Sequence, residues 1–159
     1  MTPEPPAIEL PVTVRASDWR VGVWRDFLRA HATVTRDLER DLVARAGLPL
    51  AWYDVLLQLA EAPGRRLRMA ELADRVLLSR SGLTRLIDRL QAEGLVRRER
   101  SADDARGTFT VLTPEGFERL RAAAPVHLAG IRDHWLLHFS DDDLRLLGGL
   151  LGRVAPAAG

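Results

Sequence analysis

The stretch from residue 69 to residue 116 constrains the fold more than any other part of the 159-residue chain. Its parts read Met69-Ala-Glu-Leu-Ala, Ser79-Arg-Ser-Gly-Leu-Thr-Arg-Leu-Ile-Asp-Arg-Leu, Gly94-Leu-Val-Arg-Arg-Glu-Arg and Thr108-Phe-Thr-Val-Leu-Thr-Pro-Glu-Gly. These parts suggest a short helix, a turn, a second helix, a strand, a charged tip and a second strand. That order predicts a winged helix-turn-helix.

Local signals set the expected boundaries within this stretch. Ser79 suits the cap of the second helix, and Gly94 stands where a glycine usually ends one. Residues 95–100 and 108–112 are predicted strands, and residues 101–107 are the hairpin tip between them. The short helix over residues 69–76 has a less certain start, because Arg68 offers no hydroxyl or carboxylate as a cap.

Longer helices are expected on both sides. Asp18 can cap a helix that ends near Gly47, and a second one runs from about Pro49, in its first turn, to Glu61. The first helix has an apolar stripe at steps of four and three residues: Trp24, Leu28, His31, Thr35, Leu38 and Leu42. At about 1.5 Å per residue it would exceed ~40 Å, so part of it is expected to pack against a partner chain.

Two more helices follow the predicted wing. The first opens at Thr113 and should be kinked or interrupted by Pro125. Its stripe is Leu120, Ala124, His127, Ile131, His134 and His138. Ser140 caps the last helix, whose expected buried line is Leu144, Leu147, Leu151 and Val154. The fold class is thus mainly α with a small two- to three-stranded antiparallel wing.

The same pattern suggests a domain organisation. Residues 1–17, rich in proline, form a flexible arm without the features of a signal peptide. Residues 48–113 form the winged helix-turn-helix domain, and residues 18–47 and 114–155 form a helical dimerisation region. Two terminal segments that need a partner surface predict a twofold homodimer.

Composition favours a DNA-binding protein. All 23 basic residues are arginine and the net charge is +1. Residues 65–106 carry a net charge of +4, which leaves −3 for the remainder. A basic middle between acidic flanks indicates a local nucleic-acid surface. The absence of cysteine fits a reducing cytoplasm, and no apolar run reaches the roughly 20 residues of a membrane span.

The second helix of the motif is the element expected in the major groove of double-stranded DNA. Small residues and free amides at its start allow a close approach to phosphate, and hydroxyls and guanidinium groups can bond phosphates or base edges. The predicted contacts are Ser79, Arg80, Ser81, Gly82, Thr84 and Arg85. Arg89, on the same face as Arg85, pairs as plausibly with Asp88 or Glu93.

The wing should supply a second set of contacts. Arg98, Arg100 and Arg106 are predicted to bind DNA, with Arg106 entering the minor groove, where the potential is most negative. A carboxylate there would repel DNA unless it orients a neighbouring arginine. Asp104 is therefore expected to orient a wing arginine.

Taken together, these motifs resemble the MarR family of winged-helix regulators. The matching residues are Glu71-Leu-Ala73, Leu78 to Leu90, Gly94 to Arg97, Asp104-Ala-Arg106 and Leu112 to Gly116. The resemblance implies a homodimer joined through its terminal helices that binds a pseudo-palindromic operator. It also implies, for many members, repression relieved by a small molecule bound between the two lobes. One departure from the family is Arg68, where similar proteins often have a hydroxyl cap.

An effector site would have to lie outside the DNA-reading stretch. An aromatic wall with a few polar groups suits a planar or phenolic ligand. The residues expected to form this pocket are Trp24, His31, Trp52, Tyr53 and Asp54. Ordinary packing within the helices is the competing interpretation.

Two other functions are considered. One is a sequence-tolerant architectural DNA binder without an effector. The other is a metal-dependent protein that uses His31, His134 and His138, although histidines spread over several turns suit one site poorly. Satisfied core or interface histidines are the plainer interpretation, and a pH-sensing role for His127 or its neighbours stays open. No phosphate loop, serine elbow or zinc-protease motif occurs, so no catalytic residue, metal or cofactor is predicted.

Overall fold

The computed structural model describes residue 15 and residues 17–76, 80–100 and 108–155. Within these residues the chain forms six α-helices, two 3₁₀ turns and three strands. The helices are α1 (Trp19–Ala46), α2 (Leu50–Glu61), α3 (Met69–Arg75), α4 (Arg80–Ala92), α5 (Pro114–His134) and α6 (Asp141–Val154). The strands are β1 (Arg66–Arg68), β2 (Val96–Arg100) and β3 (Thr108–Leu112), and the 3₁₀ turns are Pro63–Arg65 and Leu136–His138. The predicted mainly α fold with a small antiparallel wing is confirmed.

The chain divides into two compact units, the first of which ends at Thr33, within α1. In this unit α1 begins directly after Asp18, whose carboxylate accepts a hydrogen bond from the backbone N–H of Arg20 at 2.9 Å. The predicted cap is therefore confirmed. The rings of Trp24 and Phe27 stack with their centroids 5.8 Å apart. Trp24 is nevertheless 57% exposed and Leu28 44% exposed, so this part of the predicted stripe is largely uncovered.

The second unit begins at Val34 and holds the hydrophobic core. Apolar residues at helical spacing bring α2, α3 and α4 together, and the last turns of α1 add Leu42. The fully buried apolar side chains are Leu42, Leu48, Val55, Leu56, Leu59, Leu72, Leu83, Ile87, Leu90 and Val96. The winged helix-turn-helix is therefore built around one continuous core.

The sheet has the strand order β1-β3-β2, and both pairings are antiparallel. Arg68 lies opposite Phe109, and Arg100 lies opposite Thr108, so these residues mark the end of the sheet from which the hairpin tip departs. No strand was predicted at β1. The reason is that three residues reading Arg-Leu-Arg carry no β-branched or aromatic signal, and only pairing with β3 makes them a strand.

Two glycines set the connection between α4 and α5. Gly94 has a φ of +73° and ends α4 as predicted. A Cβ at Gly116 would lie 2.0 Å from the carbonyl oxygen of Leu95, so only glycine fits there. The hydroxyl of Thr113 accepts a hydrogen bond from the Gly116 N–H and donates one to the Gly94 carbonyl. The predicted cap of α5 is thereby confirmed, and it also fastens α5 to the end of α4.

Several predicted boundaries need correction. Pro49 is the residue before α2 rather than part of its first turn. Pro125 does not interrupt α5, which continues to His134. The ring lies at an exposed position, where the carbonyl that loses its N–H partner can reach water. His138 belongs to the 3₁₀ turn after α5, so it does not continue the helical stripe through His134.

The last helix differs most from its prediction. Ser140 does cap α6, by a reciprocal pair of hydrogen bonds with Asp143. The expected buried line is wrong for the single chain, because no residue of α6 is buried and Val154 is 85% exposed. Leu144 and Leu147 are half-buried, whereas Leu146 and Leu150 on another side of the helix are exposed.

Some sequence predictions fall outside the described residues. They are most of the N-terminal arm (residues 1–17), the cap at Ser79 and the hairpin tip at residues 101–107. Among the helices of the described ranges, none combines the length and the apolar character that a bilayer crossing requires.

Candidate nucleic-acid interface

The fourth helix presents two different faces. Leu83, Leu86, Ile87 and Leu90 recur at steps of three and four residues and are all buried. The opposite face carries Ser81, Thr84 and Arg85, which are exposed. Gly82 is half-buried near the start of the helix, and Arg80 is its first residue. Burial of the leucine face thus fixes which hydroxyl and guanidinium groups face outward.

The hairpin of β2 and β3 provides the second element. Arg98 and Arg100 lie two residues apart on β2, hence on one face of the strand. Both residues are exposed. The predicted minor-groove residue Arg106 and its predicted orienting partner Asp104 lie outside the described residues. The base of the wing is therefore described, and the assignment of its tip stays a prediction.

One ion pair joins the two elements. The guanidinium of Arg98 lies 2.6 Å from the carboxylate of Asp88 on α4. Asp88 thus pairs with the wing rather than with Arg89, which was the sequence-based alternative. Asp88 and Arg85 are three residues apart on α4, so a carboxylate lies close to the arginine expected at DNA. Arg98 offsets that negative charge and links β2 to the helix.

Sequence reasoning missed a third group of basic residues, on β1. The guanidinium carbons of Arg66 and Arg68 lie 4.8 Å and 5.0 Å from the centroid of the Phe109 ring. Nearby, Arg65 lies over the ring of Phe117 at 3.9 Å. The charge count over residues 65–106 included these arginines, but their common surface depends on the pairing of β1 with β3. No local pattern in the sequence indicates that pairing.

The residues predicted to form an effector pocket fall in different units. Trp24 and His31 belong to the first unit, and Trp52, Tyr53 and Asp54 lie on α2 in the second. Tyr53 is buried and packs on the ring of His127, with centroids 4.2 Å apart. Burial raises the pKa of the Asp54 carboxyl and the pKa of the Tyr53 hydroxyl above their ordinary values. The grouping of all five residues into one pocket stays a prediction.

A cleft of about 340 Å³ lies beside Asp54 within the second unit. It is lined by Glu39, Leu50, Ala51, Asp54 and Val76. Glu39 accepts a hydrogen bond from the backbone N–H of Leu50 at 2.5 Å, which ties the last turns of α1 to the start of α2. This cleft is large enough for a small organic molecule.

The histidines of α5 have separate environments. His134 hydrogen-bonds Asp41 of α1 at 2.7 Å, and this bond is the main reason that the pKa of Asp41 is lowered. The buried Nδ1 of His127 has no hydrogen-bond partner among the described residues, and burial lowers the pKa of this histidine. Across the described ranges, no three histidine or acidic side chains come together as metal ligands. In this structure His134 joins α5 to α1 by a hydrogen bond, and His127 packs on the ring of Tyr53.

Comparison with known proteins finds transcriptional regulators. A family model described as "MarR family" matches residues 46–107. The HTH-type transcriptional repressor YetL of Bacillus subtilis is 31% identical over 116 residues, which cover 70% of this chain and 69% of that protein.

Solved structures agree over nearly the whole chain. Sco3205, a MarR family transcriptional regulator from Streptomyces coelicolor solved in complex with DNA, is 37% identical with a TM-score of 0.82, covering 92% of this chain and 91% of its own. AbsC, a MarR family regulator from the same organism, is 36% identical with a TM-score of 0.82, covering 90% of this chain and 96% of its own. The similarity therefore extends well beyond the winged motif.

Proposed function

The chain belongs to the MarR family of DNA-binding transcriptional regulators, and we propose that it acts as a homodimeric repressor that a small molecule releases from a pseudo-palindromic operator. It is a regulator rather than an enzyme. The observation that carries the DNA-reading part of the proposal is the placement of α4. Its leucine face is buried, its polar face is exposed, and it stands beside the wing on one packed core.

In this proposal the start of α4 enters the major groove. Ser79, Arg80, Ser81 and Gly82 approach the phosphate backbone, and Thr84 and Arg85 reach base edges. Arg98 and Arg100 at the base of the wing and Arg106 at its tip contact the flanking backbone and minor groove, and Asp104 orients a wing arginine. The two wings and two helices of a dimer would then read two half-sites about 34–36 Å apart.

Arg85 provides the direct test of base reading. Fragments that the protein selects from its host genome supply the specific site, and a shuffled duplex supplies the non-specific one. If Arg85 contacts a base bidentately, Arg85→Ala should cost about 1–3 kcal/mol on the selected site and much less on the shuffled one. Arg121→Ala on α5 is a matched control, since Arg121 is an exposed arginine paired with Glu118 away from α4. Equal losses on both duplexes would remove Arg85 from base reading.

Two exposed apolar surfaces support the homodimer. In the first unit, α1 exposes Val23, Trp24, Phe27 and Leu28. In the second unit, α6 exposes Leu146, Leu150, Leu151 and Val154. Monomeric proteins seldom leave contiguous apolar patches uncovered, because burying them against a partner is favourable.

The dimer is tested by sedimentation of wild-type protein and Leu150→Asp. A charge in the apolar face of α6 should shift the protein towards monomer while circular dichroism still reports a folded chain. Arg145→Ala on the same helix is the control for charge, because it also makes the chain more negative by one unit, at an exposed position near the acidic start of α6. A wild-type monomer at micromolar concentration would contradict the proposal.

The effector part of the proposal rests on the types of side chain in the predicted pocket and not on contacts observed among all of them. The proposed pocket residues are Trp24, His31, Trp52, Tyr53 and Asp54, and the ligand class is a small planar or phenolic compound. The cleft beside Asp54 and the half-buried carboxylate of that residue support a polar anchor there. Screening aromatic acids and phenols for release of the selected DNA fragment tests this part, with Trp52→Leu expected to weaken release but not DNA binding.

A further inference from the structure

The outer face of the wing sheet carries a basic cluster around one aromatic ring. Arg66 and Arg68 of β1 place their guanidinium carbons 4.8 Å and 5.0 Å from the centroid of Phe109 on β3. We call these three residues the basic face. Phe109 is half-buried, and Arg66 is exposed.

Strand alternation explains why both arginines are on this face. Leu67 lies between them, is only 5% exposed and faces the core opposite Thr110, which is fully buried. Side chains alternate along a strand, so Arg66 and Arg68 must both project from the other side. Phe109 lies directly opposite Arg68 in the register and therefore shares that face. The pairing of β1 with β3 thus holds the cluster together.

Stacking on an aromatic ring prepares these arginines for an anionic ligand. A guanidinium over the ring face gains cation–π energy and loses less side-chain freedom when it binds. The N–H groups of a guanidinium lie along its edge, in a planar fork whose geometry matches phosphate oxygens. Arg97 projects from the same side of the sheet and forms an ion pair with Glu99 on its own strand, so that pair adds no net charge.

The position of the cluster on the sheet favours DNA phosphate as its ligand. Arg68 lies opposite Phe109 in the register of the sheet. Phe109 is the second residue of β3, which begins at Thr108, directly after the hairpin tip. The cluster therefore belongs to the same sheet as the wing, close to the end that faces DNA in the proposed function. A protein partner would favour an apolar centre with a polar rim, whereas two arginines on one ring suit phosphate.

We propose that Arg66 and Arg68, held on Phe109, bind phosphates of the DNA backbone beside the wing as a sequence-independent contact. This inference rests on the proposed function, since it requires the wing to lie against DNA. It adds β1 as a third contact element next to α4 and the hairpin. Its contribution is to affinity and to salt dependence, and not to the choice of sequence.

The test is the salt dependence of DNA binding by the double variant Arg66→Ala/Arg68→Ala. Binding is followed by fluorescence anisotropy on a random-sequence duplex and on a fragment selected by the wild-type protein. Each lost phosphate contact should reduce the slope of log K against log salt by about 0.9, measured between about 50 and 200 mM salt. Affinity should fall by the same factor on both duplexes.

Matched variants separate the basic face from general charge. Arg121→Ala/Arg145→Ala removes two exposed arginines from α5 and α6, where they pair with Glu118 and Asp142, and should leave the slope unchanged. Phe109→Leu keeps both charges and removes the ring, so it should weaken affinity less than the double variant does. Arg66→Gln/Arg68→Gln repeats the test with longer polar side chains if the alanine variant does not fold.

The outcomes distinguish this inference from the proposed function. If the wild-type protein binds the selected fragment and the double variant keeps its salt slope, the basic face is not a DNA contact and the proposed function stands. A loss confined to the selected fragment would also overturn the inference, because it would indicate base reading. If the wild-type protein binds neither duplex, the proposed function itself fails.

Discussion

The winged lobe, which runs from α2 to the start of α5, buries its apolar side chains. The last helix, α6, leaves its apolar side chains largely exposed. In the lobe, α2, α3 and α4 bury most of their leucines, and Leu56, Leu59, Leu72 and Leu90 are fully covered. The helix α6 is also rich in leucine, yet none of its residues is buried. Both sequences are amphipathic, so periodicity alone does not separate them.

The difference shows which part of a single chain covers its own apolar side chains. The lobe has three helices and a sheet that cover one another, whereas α6 presents apolar residues on two of its sides, Leu144 on one and Leu146 on the other. A helix of this kind gains its stability from whatever covers it. The α1 segment of the first unit has the same character, with Trp19 76% exposed. The lobe is expected to be intolerant of added volume, and α6 tolerant of it.

The largest expected effect comes from adding one methyl group to the closed lobe. Gly116→Ala would place a Cβ 2.0 Å from the Leu95 carbonyl oxygen and 2.8 Å from a Leu112 methyl, so α5 or β2 must move. We expect a loss of about 3 kcal/mol or more in the free energy of unfolding, at the upper end for overpacking. Chemical denaturation at fixed protein concentration measures it.

The same change on α6 is the control for this prediction. A Cβ at Gly148 meets no atom within 4 Å, so Gly148→Ala should stabilise the helix by about 0.5–1 kcal/mol. Equal losses at the two positions would remove the contrast between the regions. A loss at Gly148 alone would place a partner surface against that side of α6.

A smaller effect is expected at the helix caps. Thr113 makes two hydrogen bonds, to Gly116 and Gly94, and joins two elements of the lobe. Thr113→Ala should therefore cost about 2 kcal/mol, towards the upper end of measured caps. Ser140→Ala at the start of α6 should cost about 1 kcal/mol, because the Ser140 hydroxyl caps only its own helix. Denaturation of both variants measures the difference, and a larger loss at Ser140 would contradict it.

The third prediction concerns pH where α5 packs on the lobe. Burial holds the pKa of His127 below its ordinary value of 6.5, so the unfolded chain binds a proton at this residue more readily than the folded chain does. Stability should then fall as the pH drops below about 6.5, until the folded protein is protonated as well.

The variant His127→Phe isolates this contribution. It keeps a ring against Tyr53 and has no titrating group, so its stability should fall less than that of the wild type over the same pH range. Denaturation between about pH 8 and pH 5 makes the comparison. If both proteins lose the same stability, His127 is not the cause of the pH dependence.

The parts of the fold that sequence predicted well are those set by neighbours along the chain. Gly94 and the caps at Asp18, Thr113 and Ser140 are confirmed, because capping and turn formation depend on residues three or four positions apart. The family was also predicted, since several short motifs occurred together in the right order. Of the predicted contacts, Thr84 and Arg85 lie on the exposed face of α4, as their spacing from Leu83 and Leu86 requires.

Other features were not predictable from local pattern. The strand β1 exists because β3 pairs with it, and the basic face of Arg66, Arg68 and Phe109 exists only through that register. The partner of Asp88 is Arg98, ten residues away, rather than Arg89 beside it. His138 left the predicted stripe because α5 ends at His134.

The sequence by itself thus determined the helix caps, the outward position of Thr84 and Arg85 on α4 and the order of elements that makes a winged helix-turn-helix. These follow from short-range hydrogen bonding and from the period of apolar residues. The tertiary structure alone decided which arginines are gathered on Phe109, which carboxylate faces the wing and which apolar stripes are left uncovered. Those outcomes depend on pairing and packing between residues distant in the chain, whose free energy is shared by many contacts and is not encoded at any one position.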